Sequence, residues 1–364
     1  DQAKKAALLV QAKIEELEAV VTVEQALEKK SFLDDPIVVS TGDSQTAIKK
    51  AKNTLNGTLS IGGQEHYYLE GQVAISIPTE DNEMVVHSST QNPTEVQHLV
   101  AHVLDVPQNA IEVVTRRMGG GFGGKETDSS QLACICAIFS KRTLRPVKAR
   151  LSRKDDILLT GKRHDFIAKY EVGYNDEGVI QGIEIDLAAR CGYSLDLSKA
   201  IVSRALFHAD NTYFIPNATF KGFLCKTNTA SNTAFRGFGG PQGMLTIENI
   251  IEEIANNMGT DPLNIRKINY YQKGSNNVTP YDQVIEDNII EEITNELIED
   301  SNYLSRRKEV DSFNKENQFV KKGLSFSPVK FGISFTTQLL NQAGALVSIY
   351  KDGSIYINHG GTEM

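Results

Sequence analysis

The sequence predicts an α+β fold, because helical and strand-like segments alternate without the regular order of repeated βαβ units. Two hairpins are predicted where turn residues separate stretches of alternating polarity, at Asn175–Gly178 and at Asp352-Gly353. A long helix is predicted from Pro241 through Met258, and Gly259 directly after it is a typical C-terminal stop. With 364 residues, the chain is long enough for two or more domains or for one large unit.

The other elements follow from the same periodicities. Ala3–Glu18 has the apolar spacing of an amphipathic helix, and Thr94–Leu104 has it too, with Thr94 as the N-cap. Asp128–Ser140 is apolar enough for a buried helix, and the polar, acidic stretch Asn269–Asn302 predicts a solvated connection with helix in its second part. The predicted strands are Ile37–Ser40, Leu59–Ile61, Val73–Ile77, Met84–His87, Ile111–Thr115, Phe166–Tyr174, Val179–Asp186, Ala345–Tyr350 and Ser354–Asn358.

The composition excludes some classes of partner. A formal net charge of -8 argues against extensive binding to nucleic acid or to an anionic membrane, so an anionic ligand needs a local positive site. No stretch approaches the ~18–20 apolar residues of a membrane span. Four cysteines do not form a disulfide framework, and Cys134 and Cys136 lie in an apolar run that predicts buried core residues. A reducing, cytoplasmic location is expected.

Two glycine loops contain the one short internal sequence repeat of the chain. The first glycine loop (Gly119–Gly124) and the second glycine loop (Gly237–Gly240) share the sequence Gly-Phe-Gly-Gly, and a helix is predicted after each. Glycine lets backbone N–H groups approach a ligand closely, and a helix N-terminus favours an anion. The loops are therefore either two walls around one anionic cofactor or two unrelated tight turns, and the residues alone favour neither.

Nucleotide-binding motifs match the first glycine loop only in part. The spacing G-x-G-x-x-G fits a dinucleotide fingerprint, but Lys141 and Arg142 stand where an acidic residue is expected. The spacing G-x4-G-K fits a P-loop until Glu126, which replaces the Ser or Thr that holds magnesium and would repel a triphosphate. His98 and His102 lack the H-E-x-x-H pattern, and they are not expected to bind zinc. An NAD- or ATP-binding protein is thus a poor hypothesis.

Three charged residues stand out beside or between these loops. Glu126 directly follows the first glycine loop, Arg236 directly precedes the second, and Arg204 lies in the apolar run KAIVSRALFH. An arginine in such a run usually pairs with a carboxylate or a ligand. From the residues alone, a structural salt bridge between Arg204 and an acid such as Asp196 is the favoured interpretation.

Long sequence motifs follow one another along nearly the whole chain. They are GGQEHYYLE (62–70), SSTQN (88–92), MGGGFGGKET (118–127), TGKRHDF (160–166), DLSKAIVSRALFH (196–208), CKTNTASNTAFRGFGGPQ (225–242), KFGISF (330–335), LNQAGALV (340–347) and HGGTEM (359–364). With these motifs in this order, the chain resembles the molybdenum-cofactor region of the xanthine dehydrogenase and aldehyde oxidase family. The resemblance implies the molybdenum-cofactor-binding fold of that family, preceded by a remnant of an α/β-hammerhead domain. The implied domains are residues 1–55 (hammerhead-like part and linker), 56–320 (first molybdopterin-binding domain) and 321–364 (start of the second).

The resemblance also implies roles for individual residues. Cofactor contacts are expected at Gln91, Gly121, Phe122, Gly123 and Arg236, and of these Gln91, Phe122 and Arg236 are expected near molybdenum, mostly through backbone. Phe238 and Phe335 are expected to sandwich a flat heterocycle, one ring at its face and the other at its edge, with Leu197 and Thr336 as further substrate contacts. Glu126 and Arg204 are expected to be the catalytic pair that grips opposite ends of the substrate.

Glu126 and Arg204 also discriminate within the family. Members that oxidise purines carry this Glu and Arg, whereas members that oxidise aldehydes typically carry uncharged residues there. The resemblance therefore implies hydroxylation of hypoxanthine and xanthine to urate on a molybdenum–molybdopterin cofactor. Electrons would pass to iron–sulfur clusters and FAD on a partner subunit or domain and then to NAD. The cysteine pattern for such clusters is absent from this chain.

Both ends of the sequence depart from the family pattern. The chain begins without methionine inside a predicted helix, and it ends within a motif that continues in the family, so it is expected to be incomplete. The family's base glutamate has no counterpart here. Another chain or segment is expected to supply that base and the remaining half of the cofactor site. The alternative is a non-catalytic or split relative that acts as an assembly or binding component with a companion chain.

Overall fold

Helices and strands alternate along residues 2–336 and 338–360, the part of the chain that the computed structural model describes. The helices are α1 (Gln2–Leu8), α2 (Val23–Glu28), α3 (Ser44–Lys50), α4 (Pro93–Leu104), α5 (Ser129–Thr143), α6 (Arg153–Leu159), α7 (Ser198–Phe207), α8 (Gly240–Met258), α9 (Pro262–Asn269), α10 (Ile290–Asp300) and α11 (Tyr303–Glu316). The strands are β1 (Ile37–Thr41), β2 (Asn53–Ile61), β3 (Val73–Pro78), β4 (Met84–Ser88), β5 (Ile111–Val114), β6 (Val147–Arg150), β7 (Phe166–Tyr174), β8 (Ile180–Gly192), β9 (Ala218–Lys226), β10 (Ala345–Ile349) and β11 (Ile355–His359). This mixture confirms the predicted α+β class.

A five-stranded sheet in the order β1-β9-β8-β7-β2 holds the main core. Strand β8 pairs antiparallel with β7 and parallel with β9. Successive side chains of these strands enter different clusters: Leu187 and Ala189 pack with residues of α7 and α8, whereas Ala188 packs with Val23 and Ala26 of α2. Helices therefore cover both faces of the central strands, which explains why β7 and β8 are apolar along most of their length.

A smaller four-stranded sheet has the order β5-β4-β3-β6. Helices α4 and α5 pack on it, and their apolar residues form a second buried cluster around Val86, Val96, Val100 and Ala133. Strand β5 leads from this sheet into the first glycine loop, and α5 follows that loop. The small sheet therefore positions the first glycine loop, whereas the large sheet carries α7 and α8.

Several predicted elements are confirmed, although β8 extends to Gly192 instead of the predicted Asp186 and α5 extends to Thr143 instead of the predicted Ser140. Both hairpins form, β7 with β8 and β10 with β11, and α8 ends at Gly259, whose φ of 65° is that of a left-handed cap. The buried helix predicted after the first glycine loop is α5. Of the two cysteines predicted to be buried core residues, Cys136 is buried and Cys134 is only partly buried; Cys191 and Cys225 are also buried, and all four are free thiols.

Two predictions about helix boundaries are wrong. The helix predicted over Ala3–Glu18 ends at Leu8, and residues 9–18 are exposed, so its apolar face has no packing partner in the described structure. Asn92, not Thr94, caps α4: its side chain accepts from the Glu95 backbone N–H at 3.2 Å.

The division into domains at residues 55 and 320 stays a prediction. Residue 55 lies within β2, and β1, on its N-terminal side, pairs with β9, so both strands belong to the large sheet.

Residues 361–364 of the predicted motif HGGTEM lie outside the described residues. In the described part of the chain, no helix is both long and apolar enough to cross a membrane.

Candidate active site

The first glycine loop is built around the side chain of Gln91. The Gln91 Oε1 accepts hydrogen bonds from the backbone N–H groups of Gly123 (2.8 Å) and Lys125 (3.2 Å). A Cβ atom at Gly121 would lie 2.5 Å from this oxygen, and one at Gly123 would lie 2.6 Å from the Ala234 carbonyl oxygen. The glycines are therefore required for close approach on both sides of the loop.

The two glycine loops repeat one backbone conformation. Phe122 and Gly123 have φ angles of 56° and 102°, and Phe238 and Gly239 have φ angles of 50° and 99°. A left-handed phenylalanine is an uncommon and strained backbone state, and such states are concentrated at functional sites. The short sequence repeat therefore has the same backbone conformation in both loops.

The loops are neighbours in space. The Arg236 backbone N–H, just before the second loop, donates to the Phe122 carbonyl oxygen at 2.9 Å. Arg163 reinforces this junction: its Nη2 donates to the Arg236 carbonyl oxygen at 2.7 Å, and its guanidinium carbon lies 4.1 Å from the centre of the Phe235 ring. The two loops are therefore adjacent, and a single cofactor site between them stays a prediction.

Helix α7 supplies an apolar surface beside the second loop. Leu197, at the N-cap, and Ile201 and Arg204 follow the i, i+4, i+7 spacing of one helix face. Ile201 and Leu197 pack in a small cluster with Phe238 and Phe335. The Thr336 hydroxyl donates to a carbonyl oxygen of α7, that of Ala200, at 3.3 Å. The predicted substrate contacts on α7, on the second loop and at Phe335 and Thr336 are therefore brought together.

Phe238 and Phe335 touch each other directly. Their ring centroids are 5.5 Å apart, and the ring planes are inclined by 52°. Two rings stacked on opposite faces of a flat heterocycle would be about 7 Å apart, since carbon atoms in contact are separated by roughly 3.5 Å on each side. The two rings are closer than that face-to-face arrangement requires. The arrangement in which one ring meets the face of the heterocycle and the other its edge stays a prediction.

Arg204 is 3% exposed and is not paired with a carboxylate in the described structure. Its Nη1 and Nη2 donate to the carbonyl oxygens of Gly332 and Ser334, and its Nε has no hydrogen-bond partner among the described residues. The predicted salt bridge to Asp196 is thus absent there. Burial lowers the pKa of Arg204. The site consequently contains a buried guanidinium whose charge no neighbouring carboxylate neutralises.

Glu126 is partly buried, and no residue of the described chain forms a hydrogen bond with its carboxylate. Burial and, secondly, the negative charge of Asp196 raise the pKa of Glu126 to about 7. Because Asp196 lies just before α7, Glu126 is near the N-terminal end of the helix that carries Arg204. The rise of ~1.5 Å per residue separates Leu197 from Arg204 by roughly 10 Å along the axis.

A cavity of about 480 Å³ adjoins Arg204. Phe335 and Thr336 line it together with Arg204, whereas Glu126 is not one of its lining residues. A cavity shared by Glu126 and Arg204 stays a prediction. In the described residues, no three His, Cys, Asp or Glu side chains are grouped so that they could hold a metal ion.

Comparison with known proteins identifies the family to which this chain belongs. Residues 28–270 match the family described as molybdopterin cofactor-binding domain, and residues 296–364 match a second family with the same description. The chain belongs to the molybdopterin cofactor-binding domain family. Both glycine loops, Glu126 and all of α7 lie within the first matched segment, whereas Phe335 and Thr336 lie within the second.

The relatives of this molybdopterin-binding chain are oxidoreductases. It is 45% identical over 363 residues to a xanthine dehydrogenase of Dictyostelium discoideum and 44% identical over 365 residues to a xanthine dehydrogenase/oxidase of Gallus gallus. Each alignment covers 100% of this chain and 27% of the relative, so the chain spans about a quarter of their length. The aldehyde oxidoreductase structure from Desulfovibrio gigas aligns with a TM-score of 0.81 at 23% identity, over 98% of this chain and 39% of that one, which supports the fold.

Sequence reasoning missed Arg163. It lies in the motif TGKRHDF just before β7, and a charged run ahead of a buried strand was the only local signal. In the molybdopterin-binding fold it is 7% exposed, and its Nη1 has no hydrogen-bond partner among the described residues. Burial lowers the pKa of Arg163 to about 10. Arg163 is thus a second buried guanidinium, placed behind the junction of the two loops.

Proposed function

We propose that this chain is the molybdopterin-binding part of a xanthine dehydrogenase that hydroxylates hypoxanthine and xanthine to urate in the cytoplasm. The observation that carries the proposal is the buried Arg204 guanidinium, without a carboxylate partner in the described structure, on the helix face that meets Phe238 and Phe335. The names of the relatives support the same activity. Iron–sulfur clusters and FAD on a partner subunit or domain would pass the electrons to NAD.

The two glycine loops fit the molybdenum cofactor. The side-chain Oε1 of Gln91 accepts hydrogen bonds from two backbone N–H groups, which fixes the orientation of the side-chain amide. The Nε2 hydrogens then remain to donate to an acceptor group of the cofactor. Gly121, Phe122, Gly123 and the Arg236 backbone would hold the cofactor from both loops. The bound cofactor would supply the oxygen transfer and the two-electron chemistry. A further chain or segment would contribute the rest of its site and the base glutamate.

Arg204 would stabilise charge on the purine. Addition of oxygen to a ring carbon moves negative charge onto the ring and its carbonyl oxygen, and a guanidinium held in place by two carbonyl groups stabilises this charge most in the transition state. Since the site is buried, the electrostatic interaction is stronger than it would be in water. Aldehydes develop no comparable charge at a distant ring position, so they would depend less on Arg204.

Glu126 would act at the other end of the substrate. With a pKa of about 7, its carboxyl can be neutral or ionised near physiological pH, so it can donate a proton to a ring nitrogen or accept one from it. Phe238 and Phe335 would orient the heterocycle, one ring at its face and the other at its edge, with Leu197 and Thr336 at its border.

The decisive experiment is Arg204→Met in the complete, cofactor-loaded protein. We expect kcat/KM for xanthine to fall by roughly 10²–10³-fold, because a buried charge-stabilising donor is lost, whereas kcat/KM for an aldehyde falls by less than about tenfold. Lys199→Met is the matched control, since Lys199 lies on the same helix in an exposed ion pair with Asp34, and it should leave both substrates unaffected. Equal losses on both substrate classes would refute the purine assignment.

A further inference from the structure

A buried polar cluster lies under the segment that covers Arg204. Asp210 is fully buried just after α7; it accepts from the Tyr271 hydroxyl at 2.6 Å and is in an ion pair with the Lys330 ammonium. The Lys330 Nζ also donates to the Tyr281 hydroxyl at 3.0 Å. A buried ion pair with two tyrosine partners is costly to assemble unless its geometry is fixed, and the residues proposed above for cofactor and substrate binding do not include it.

The same region is tied down through its main chain. The Asn211 side chain donates from Nδ2 to the Pro328 carbonyl oxygen at 2.9 Å, and its Oδ1 accepts from the Lys330 backbone N–H at 3.0 Å. Two residues later, the Gly332 backbone N–H donates to the His208 Nε2 at 3.1 Å. The chain from 328 to 332 is therefore fastened at successive points to the residues that end α7.

This fastened segment supplies the acceptors for Arg204. The Gly332 carbonyl oxygen accepts from the Arg204 Nη1, and the Ser334 carbonyl oxygen accepts from the Nη2. Phe331 adds its ring, whose centre lies 5.4 Å from the guanidinium carbon. Lys330 is only two residues from Gly332 and four from Ser334, so the ion pair anchors the backbone close to both acceptors.

We propose that the Asp210–Lys330 ion pair is a positioning device for Arg204, and that it thereby sets the preference for purines. This inference rests on the proposed function. The pair is not among the residues proposed above to bind substrate or cofactor; it fixes the segment whose carbonyl groups hold the guanidinium in one orientation. A merely structural pair would affect every substrate alike, whereas a positioning pair acts through Arg204 alone.

The test uses the complete, cofactor-loaded protein with the double substitution Asp210→Asn and Lys330→Met. Removing both charges avoids the buried unpaired carboxylate that Lys330→Met alone would leave. We expect kcat/KM for xanthine to fall at least about tenfold while that for an aldehyde changes less than about threefold, and amide hydrogen exchange in residues 328–336 to become faster without substrate. The control is the exposed ion pair between Lys199 of α7 and Asp34, removed by Asp34→Asn with Lys199→Met, which should change neither measurement.

A double-mutant cycle decides between the two roles. In an Arg204→Met background, the double substitution Asp210→Asn and Lys330→Met should lower xanthine turnover no further, because the native ion pair acts through the guanidinium. Additive losses, equal losses on xanthine and aldehyde, or unchanged exchange in 328–336 would each overturn the proposal. If the wild-type protein hydroxylates no purine, the proposed function fails, whereas faster exchange in the double variant would still support the pair as the device that holds the segment beside Arg204.

Discussion

At the scale of single residues, Glu126 and Asp128 are two carboxyl groups that are largely withdrawn from water just after the first glycine loop. Burial is the main cause that raises the pKa of each to about 7, and Asp196 adds negative charge near both. The sequence places Glu126 directly after the first glycine loop, but it contains no sign that the side chain is withdrawn from solvent. The site therefore holds acidic groups that change charge near neutral pH.

Glu126→Gln should flatten the pH dependence of stability. A carboxyl group with a raised pKa binds more protons in the folded state, so its contribution is full below pH 4.5 and is lost as the pH rises to about 7. Removing it should stabilise the chain at pH 8 relative to pH 4.5 by up to about 3 kcal/mol, as urea unfolding at both pH values would measure. Asp128 should retain part of the pH dependence of stability. The control is Glu112→Gln at an exposed position, which should leave that pH dependence unchanged. An identical slope in Glu126→Gln would contradict the burial argument.

Arg204 illustrates what residue patterns can and cannot predict. Its apolar run predicted that it pairs with a carboxylate or a ligand, and the structure buries it to 3% exposure. The favoured partner from the residues alone, Asp196, was wrong, because the acceptors are two backbone carbonyl groups about 130 residues away in sequence. Backbone acceptors have no sequence signature, so this pairing depends on tertiary structure alone.

At the scale of elements, α7 and α8 pack so closely that glycine is required between them. A Cβ atom at Gly243 would lie 2.1 Å from the Ala205 carbonyl oxygen, and one at Gly239 would lie 2.1 Å from the Ile201 carbonyl oxygen. Backbone cannot yield in the way that a flexible side chain can, so a larger residue must push the helices apart. Because Arg204 precedes Ala205, the distance between the helices also sets the position of the guanidinium.

Gly243→Ala should therefore destabilise the protein although alanine favours helices. Overpacking against the α7 backbone should cost roughly 1–3 kcal/mol, which exceeds the helix-propensity gain of about 1 kcal/mol. Denaturant unfolding of the purified chain would measure the difference. Gly323→Ala is the matched control, since nothing lies within 4 Å of its Cβ position, and it should stay within about 0.5 kcal/mol of wild type. A stabilised Gly243→Ala would show that the helices can separate freely.

Elements were predictable where a periodic pattern coincided with a packing partner. The hairpin of β7 and β8 and the helix α8 satisfy both conditions, and both were predicted. Residues 9–18 have the helical pattern, but the described chain offers them no surface to pack on, and the helix stops at Leu8. The cap of α4 was misplaced because Pro93 occupies the first helical position and leaves Asn92 to accept the hydrogen bond.

At the scale of the whole molecule, the site depends on contacts that local sequence does not encode. Lys330 and Asp210 are 120 residues apart, and the pairing of β1 with β9 spans most of the first matched segment. Family motifs predicted cofactor and substrate residues, but they did not predict the direct contact between the Phe238 and Phe335 rings. The order of strands and the return of the chain to α7 are consequences of burying the central sheet on both faces.

Stability should accordingly be distributed unevenly between the two hairpins. The hairpin of β7 and β8 lies in the middle of a five-stranded sheet, and Ile183, Ile185 and Leu187 are fully buried. The hairpin of β10 and β11 is a two-stranded sheet on its own, and Ile349 and Ile355 are 75% and 62% exposed.

A two-stranded sheet is marginal in water, so its amides should open locally, whereas β8 should open only when the whole core unfolds. Hydrogen exchange of this chain, followed by mass spectrometry, should give β8 protection factors at least about 100-fold higher than those of β10 and β11. Comparable protection in the two hairpins would mean that β10 and β11 unfold together with the core. The two-stranded sheet of β10 and β11 could then no longer be treated as a unit that opens independently of the five-stranded sheet.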